Sequence, residues 1–398
     1  MDKKRIMVLG AGRGQVDLIN AIKHYGHTAI VASIPGTYPG FKAADETCYV
    51  NIADPQAVCQ AAKELHVDAV TTACLDTGIT ALGYTCEQLG LSGLSAGAAT
   101  LSGDKLLMKQ AFMDNGVSTA RYLCVHSEEE LSAAQRSLHY PLIVKAIDLQ
   151  GSRGINIAHD EKELFDGFHN TMQETGKDYC IVEEFIEGYE FGAQAFVYDH
   201  EVLFVMPAGD ITFRGNTNIP VGHYVPLALD TDMLGQVEKE VKLAIKAIGL
   251  NNCAVNVDMI YKDGRVYMIE LTGRIGANCL PQLTSIYYGI DIYKMIIDAA
   301  LGVNPKSYFN THKKAPSAGY AKMLFSDQNG VLKAIVNDNP KEDPAINEVT
   351  FFVQPGDTVR RFTNSRDCLG QIVVNGADAE ACQKALERAE KKIQFMLE

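Results

Sequence analysis

Two carboxylates, Asp258 and Glu270, stand in a stretch of sequence whose pattern predicts a β-hairpin. Residues 254–274 read AVNVDMIYKDGRVYMIELTGR, two alternating runs of apolar and polar residues around a Lys-Asp-Gly turn. Paired strands would bring the two carboxylates to roughly 5–8 Å from each other. Carboxylates that close repel each other unless a cation lies between them, and a hard divalent cation prefers oxygen ligands. Arg274 follows the second strand, and its planar guanidinium suits a phosphate group beside such a cation.

The register of this hairpin decides whether the two carboxylates share a face. A three-residue loop that ends in glycine pairs Tyr261 with Arg265 and makes Asp258 and Glu270 diagonal neighbours, whereas a two-residue loop would put them on opposite faces. The three-residue loop predicts one apolar face, made of Val255, Val257, Met259, Tyr267, Ile269 and Leu271. The other face then carries Asn256, Asp258, Glu270 and Thr272 together with Ile260, Val266 and Met268. This mixture favours a covered site, and the alternative is a polar face open to solvent.

A lysine and a glycine-rich segment form a candidate phosphate site. Lys145 lies in the apolar run Pro141–Ile147, where its charge is costly unless it meets an anion or reaches an edge. The segment Gly151-Ser152-Arg153-Gly154 follows between two predicted strands, so it is not a Walker loop. Such a segment is either a plain hairpin turn or a loop whose amides face phosphate oxygens. The nearby lysine favours the phosphate interpretation.

Two further segments each allow two interpretations. Glu183 and Glu184 end an apolar strand and Glu190 follows, which fits either a strand leaving the core or an adenine edge with Glu190 at the ribose. His223 lies in GNTNIPVGHYVP, residues 215–226, which is predicted to be a loop between apolar strands. His223 is either a proton carrier or substrate contact, or an ordinary packed histidine.

Gly10-Ala11-Gly12-Arg13-Gly14 follows a predicted strand and opens a helix, as dinucleotide-binding loops do. The third glycine of that motif would stand where Gln15 is, and the second strand ends without an acidic residue. A tight strand–helix turn that meets a small anion is therefore favoured over NAD binding.

Composition limits the class of protein. The chain has 398 residues, 47% of them hydrophobic and 21% charged, which is typical of a globular protein of two or three domains. The net charge of −13 argues against nucleic acid as a partner, and no apolar stretch is long enough for a membrane span. Ten cysteines without a Cys-x-x-Cys pair indicate free thiols in a reducing cytoplasm.

The order of predicted elements gives an α/β and α+β chain. Strands and helices alternate up to about residue 95, which predicts a small parallel sheet covered on both faces. From Pro141 to Leu271 the pattern changes to antiparallel hairpins with two helices between them. Residues 304–314 are predicted to be an irregular connection, and short strands and a helix from Asp378 close the chain. The predicted domains are residues 1–100, 101–305 and 306–398.

These segments, taken in order, resemble the ATP-grasp superfamily. The resemblance rests on Ser102-Gly103-Asp104-Lys105, Val144-Lys145-Ala146, Gly151–Gly154, Val182-Glu183-Glu184-Phe185-Ile186 with Glu190, Asp258, and Glu270-Leu271-Thr272-Gly273-Arg274. It covers nearly the whole chain, from a Rossmann-like first domain to a C-terminal part similar to that of biotin carboxylase.

The resemblance implies a role for each of these residues. Lys105 and Lys145 would bind the phosphates of ATP beneath the loop of Gly151, Ser152, Arg153 and Gly154. Glu183, Glu184, Phe185 and Ile186 would meet adenine, and Glu190 would meet the ribose. Asp258, Glu270 and Thr272 would hold Mg²⁺, with Mn²⁺ as an alternative ion, and Arg274 and His223 would act in catalysis. Thr272 departs from the asparagine usual in the family, which puts a second metal ion in doubt.

The implied activity is an ADP-forming ligase that converts a carboxylate to an acyl phosphate and couples it to an amine, most similar to amino-acid ligases. The alternatives are a bicarbonate- or formate-activating enzyme and a non-catalytic ATP-binding module, with an NAD-dependent dehydrogenase well behind. The expected partners are small molecules rather than nucleic acid or a membrane, and a homodimer is in keeping with the relatives.

Overall fold

The computed structural model describes residues 2–147, 154–214 and 218–398. The predictions for Gly151, Ser152 and Arg153 and for residues 215–217 lie outside this part of the chain. Among the helices within it, none is both long and apolar enough to cross a membrane.

The first part of the chain is a parallel sheet with strand order β3-β2-β1-β4. Its strands are β1 (Arg5–Leu9), β2 (Thr28–Ser33), β3 (Glu46–Tyr49) and β4 (Ala69–Thr71). Its helices are α1 (Val16–His24), α2 (Pro39–Ala43), α3 (Pro55–Glu64), α4 (Ile79–Leu89) and α5 (Ala96–Gly103). Every residue of β2 is buried, as expected of a parallel strand covered on both faces.

The glycine-rich turn after β1, residues 10–14, is hydrogen-bonded by the side chain of Gln15. The amide of Gly12 donates to Oε1 of Gln15 at 2.9 Å, and Nε2 of Gln15 donates to the carbonyl of Ala73 at 2.6 Å. Gln15 is 3% exposed. Because the amide of Gly12 already donates its hydrogen bond to Gln15, it does not point at an open anion site.

The middle of the chain begins with a small antiparallel sheet of order β5-β8-β6-β7, referred to below as the small sheet. Its elements are α6 (Lys105–Asp114), β5 (Tyr122–Val125), α7 (Glu128–Ser137), β6 (Leu142–Lys145), β7 (Ile155–Ala158), α8 (Glu161–Glu174) and β8 (Cys180–Glu184). One face of the small sheet packs on α7 and α8 around Leu142, Val144 and Val182. Lys145 and Glu183 belong to the other face, since side chains alternate along a strand.

An antiparallel sheet of eight strands, the large sheet, runs through the rest of the molecule in the order β13-β12-β9-β10-β11-β14-β18-β16. The elements are β9 (Tyr189–Tyr198), β10 (Glu201–Arg214), β11 (Asn218–Val225), α9 (Thr231–Ile248), β12 (Cys253–Lys262), β13 (Arg265–Thr272), α10 (Leu280–Tyr288), α11 (Ile292–Ala300) and α12 (Lys306–His312). They continue with β14 (Ala318–Leu324), β15 (Gly330–Asn337), β16 (Ile346–Phe351), β17 (Thr358–Val359), β18 (Gly370–Gly376), α13 (Ala379–Glu390) and β19 (Ile393–Leu397). Strands β17, β15 and β19 form a separate sheet.

Two local predictions are wrong. The connection expected at 304–314 contains the helix α12, which is anchored by the buried Phe309. The loop expected at 215–226 is largely the strand β11, so His223 stands on a strand of the large sheet. The domain boundaries at 100 and 305 stay predictions, and the large sheet runs across the second of them.

The hairpin of β12 and β13 has a different loop from the predicted one, but Asp258 and Glu270 still share a face. Lys262 pairs with Arg265, so the loop is the two residues Asp263 and Gly264, both with positive φ. A shift of register between Asp258 and Met259 then leaves Ile269 as an extra residue. This bulge places Glu270 directly opposite Asp258, whereas Val266 and Met268 turn into the core rather than onto the polar face.

Candidate active site

Asp258 and Glu270 form an acidic pair on one face of the large sheet. They are directly opposed on β12 and β13, a position that holds Cβ atoms about 4.5–5.5 Å apart. Burial, and then the charge of Glu270, raise the pKa of Asp258 to about 7. Nζ of Lys105, the first residue of α6, lies 3.5 Å from Oε2 of Glu270. When both carboxylates are ionised, the one lysine leaves the acidic pair with unbalanced negative charge.

The acidic pair fits a divalent cation. Burial and then the charge of Glu270 disfavour the ionised form of Asp258, and a cation between the two carboxylates would favour that form. Thr272 lies on the same face and is 7% exposed. Among the described residues, no three His, Cys, Asp or Glu side chains converge as metal ligands. A bound ion would therefore complete its oxygen shell from nucleotide phosphates and water, which is usual for magnesium.

Arg274 is held by a residue of the loop that follows β4. Its Nε and NH2 atoms donate to the two carboxylate oxygens of Asp76 at 2.7 and 2.9 Å. Asp76 lies in the loop after β4, and its charge also raises the pKa of Asp258. The bidentate pair fixes the position of the guanidinium. The guanidinium lies near the acidic pair, since the charge of Arg274 lowers the pKa of Asp258.

His223 is 8% exposed and pairs with Asp210, with Nδ1 of the imidazole 2.7 Å from Oδ1 of the carboxylate. Because a carboxylate accepts, Nδ1 carries the proton and Nε2 can accept one. Asp210 lies opposite His223 on β10, and its charge raises the pKa of Asp258. The structure therefore brings His223 to the same face as the acidic pair.

A second charged cluster, the lysine–glutamate cluster, consists of Lys109, Lys145 and Glu183. Nζ of Lys145 and Nζ of Lys109 each lie 3.2 Å from Oε2 of Glu183. Burial alone would raise the pKa of Glu183, but the two lysines bring it below its usual value. The cluster carries two positive charges and one negative charge, the reverse of the acidic pair.

Helix α6 joins the two clusters. Lys105 reaches the acidic pair, and Lys109, one turn later on the same side of α6, reaches the lysine–glutamate cluster. The open face of the small sheet also carries Ile143, Ile155 and Ile157, the last two 38% and 44% exposed. An apolar surface beside a cationic cluster suits a nucleotide, since a purine ring buries apolar area while its phosphates need positive charge.

The other residues predicted for the adenine and the ribose have mixed placements. The Glu184 carboxylate lies on the opposite face of β8, where it contacts His139 at 2.9 Å and Arg121 at 3.3 Å. The amide of Phe185 donates to the carbonyl of Pro141. Ile186 is half-buried just after β8, and Glu190 is exposed on β9. Any role of Glu184 at adenine is thus limited to its backbone.

Gly154 is the part of the predicted phosphate loop that the structure describes. It has φ +62°, and its carbonyl accepts a hydrogen bond from the amide of Ala146 at 2.9 Å. This bond brings Gly154 next to the end of β6, where Lys145 stands.

Sequence reasoning missed Lys109, Asp76 and Asp210. Lys109 follows Lys105 by four residues, and that spacing on a helix was the available signal. Asp76 and Asp210 reach the site through tertiary packing, and local sequence gives no sign of either.

Comparison with known proteins places this geometry in a family. Residues 103–243 match the family described as phosphoribosylglycinamide synthetase, ATP-grasp (A) domain, and residues 322–398 match L-amino acid ligase C-terminal domain 2. A crystal structure of phosphoribosylglycinamide synthetase from Anaerococcus prevotii is 49% identical, with a TM-score of 0.89 and 100% of both chains covered.

Two other relatives are more distant. The crystal structure of L-amino acid ligase from Bacillus licheniformis is 19% identical, with a TM-score of 0.83 over 100% of both chains, and shows the shared fold. Alanine–anticapsin ligase of Bacillus subtilis is 26% identical over 266 residues, which are 61% of this chain and 56% of that ligase, so the match spans about half the length of that protein. The chain belongs to the ATP-grasp family and is an ATP-dependent ligase that joins a carboxylate to an amine.

Proposed function

We propose that this ligase activates the carboxylate of one amino acid as an acyl phosphate and couples it to the amine of a second amino acid. The observation that carries the proposal is the pair of oppositely charged clusters joined by α6, which suits a metal-bound triphosphate. The match of residues 322–398 to an L-amino acid ligase domain supports amino acids as the substrates.

The first step places the acid between the two clusters. An oxygen of its carboxylate attacks the γ-phosphorus, the bond from phosphorus to the bridging oxygen breaks, and ADP leaves. Lys145, Lys105 and Arg274 offset the negative charge of the transferring group, and the protein supplies position and charge rather than a nucleophile. Asp258, Glu270 and Thr272 would hold magnesium, which supplies further neutralisation of the phosphates.

The second step joins the amine to the activated acid. The amine nitrogen attacks the carbonyl carbon of the acyl phosphate, and the bond from that carbon to the phosphate oxygen breaks. The proton that the nitrogen loses passes to Nε2 of His223, whose Nδ1 is held by Asp210.

A second candidate is favoured by the 49% identical relative, which is named phosphoribosylglycinamide synthetase. That name implies glycine as the acid and a phosphoribosylamine as the amine. Both candidates share the activation of an amino-acid carboxylate, and they differ in whether the amine carries a sugar phosphate.

A release assay separates the two. The enzyme, ATP and Mg²⁺ are incubated with one of three sets of substrates: amino acids singly and in pairs, glycine with phosphoribosylamine, or bicarbonate. The released ADP and phosphate are measured, and the products are identified by mass spectrometry. A dipeptide with stoichiometric ADP supports the proposal. ADP formation only with phosphoribosylamine supports the second candidate, and ADP formation with bicarbonate alone rules out both.

Three finer points belong to the same proposal. Magnesium is the working ion and Mn²⁺ can replace it, because both take oxygen ligands. The ten cysteines are free, which fits a reducing cytoplasm. The enzyme assembles as a homodimer, and light scattering of the purified protein tests this.

A further inference from the structure

Lys109 is a buried lysine that the mechanism above does not use. It is 4% exposed, and its Nζ lies 3.0 Å from Oγ1 of Thr119 and 3.2 Å from Oε2 of Glu183. The hydroxyl of Thr119 in turn donates to the carbonyl of Met268 on β13 at 2.9 Å. A lysine is rarely buried this deeply unless its charge is paired, so the site has been built around it.

Glu183 explains why a buried cation is needed there. Lys145 and Lys109 approach the same oxygen of Glu183 at the same distance of 3.2 Å. Without Lys109, the buried carboxylate would be neutralised by Lys145 alone, and the two would form a closed ion pair with no net charge. With Lys109 present, the cluster keeps a net charge of one unit on the open face of the small sheet.

We propose that Lys109 is a positioning residue that neutralises Glu183 and thereby leaves the charge of Lys145 for the nucleotide phosphates. Lys145 is the member of the cluster that reaches solvent, with 18% of its side chain exposed against 5% for Lys109. The inference rests on the proposed role of Lys145 at the phosphates.

Thr119 determines that Lys109, and not Lys145, is the buried lysine that neutralises Glu183. Its hydroxyl accepts from Lys109 and donates to a backbone carbonyl of the large sheet, so Lys109 is held away from the open face. Burial lowers the pKa of Lys109 and the nearby charge of Lys145 lowers it too, while Glu183 opposes both. The ion pair with Glu183, at 3.2 Å, favours the charged form of Lys109 against the burial that lowers its pKa.

The test compares ATP with adenosine, because only ATP carries the phosphates that sense this charge. Calorimetry on Lys109→Met should show ATP binding about tenfold weaker, with adenosine binding within twofold of the parent. Lys109→Arg should restore ATP binding, since it keeps the charge. Lys162→Met, which removes an 86% exposed lysine from α8, is the matched control and should change neither.

A double variant tests the mechanism itself. In Lys109→Met with Glu183→Gln, the cation and the anion are both removed, so the charge on Lys145 is freed again. ATP affinity should recover at least about fivefold over Lys109→Met alone. A structural role for Lys109 predicts the opposite, a further loss of affinity.

Each remaining outcome decides the inference. Unchanged ATP binding in Lys109→Met, equal loss for ATP and adenosine, or no recovery in the double variant overturns it. Should Lys109→Met fail to fold, Glu183→Gln alone should raise the preference for ATP over adenosine, and a lowered preference overturns the inference. Lys145→Met distinguishes a failure of the proposed phosphate site from a failure of the role of Lys109. Unchanged ATP binding in Lys145→Met refutes the phosphate site. Weaker ATP binding in Lys145→Met but not in Lys109→Met refutes only the role of Lys109.

Discussion

The acidic pair and the lysine–glutamate cluster have opposite charge compositions. One turn of α6 connects them, because Lys105 contacts the first and Lys109 belongs to the second. The acidic pair sets two carboxylates against one lysine, and the cluster sets two lysines against one carboxylate. When all of these groups are ionised, each region is left with one unit of unbalanced charge, of opposite sign. A ligand that satisfies both must present a cation to one and anions to the other, and a metal-bound triphosphate does so.

The two regions also differ in how their charges are tolerated. In the acidic pair, burial and then the charge of Glu270 raise the pKa of Asp258 to about 7, so the protein does not fully compensate the ionised form of that carboxylate. In the lysine–glutamate cluster the pKa of Glu183 is lowered, so the protein itself satisfies that carboxylate. The acidic pair therefore depends on a ligand, and the lysine–glutamate cluster is built in advance of one.

The largest effect is expected at the acidic pair. Asp258→Asn and Glu270→Gln should each lower ATP-dependent ligation by at least about a hundredfold, because the neutral amide loses the charge that draws the cation. ADP release under saturating substrates measures this, and circular dichroism checks that the fold is retained. Asp263→Asn, at the tip of the same hairpin, is the control and should be fully active. Near-normal turnover by either acidic-pair variant would mean that these carboxylates are not the cation ligands.

The acidic pair was predictable from the sequence, although the argument for it was incomplete. The alternation of apolar residues located both strands, and Asp258 and Glu270 share a face as expected. The loop has two residues rather than three, which by itself would separate the carboxylates. The bulge at Ile269 restores the alignment. Two register changes that cancel leave no separate mark in a pattern of period two.

The lysine–glutamate cluster shows where sequence reasoning stops. Lys145 stood out because it interrupts an apolar strand, and a charge is expensive there. Lys109 did not, because a lysine on a helix is usually solvated, and its burial depends on how the small sheet packs over α6. The parallel sheet near the start of the chain was predictable because β1, β2 and β4 are largely apolar runs, which is a local signature. Strand β3, whose residues are half-buried or exposed, has no such run.

A middle-sized effect is expected at the contact between Asp76, in the loop after β4, and Arg274, beside the acidic pair. Asp76→Asn should lower kcat about tenfold while KM for ATP changes less than threefold, because it loosens the guanidinium of Arg274 without removing a phosphate ligand. Steady-state kinetics at varied ATP measures the split. Glu64→Gln, at an exposed carboxylate that ends α3, is the control. A rise in KM with kcat unchanged would show that Asp76 acts at the nucleotide instead.

The smallest effect concerns the turn of the hairpin that carries the acidic pair. Gly264 has φ +79° with open space around its missing side chain, so Gly264→Ala should cost roughly 1 kcal/mol in the free energy of unfolding through backbone strain alone. Gly235 also has open space but lies within α9, so Gly235→Ala should stabilise by up to about 1 kcal/mol. Denaturation followed by circular dichroism compares the two. Activity should be unchanged in both, because the bulge at Ile269, five residues after Gly264, aligns Glu270 with Asp258. Loss of activity in Gly264→Ala without loss of stability would show that the turn, and not the bulge, positions the carboxylates.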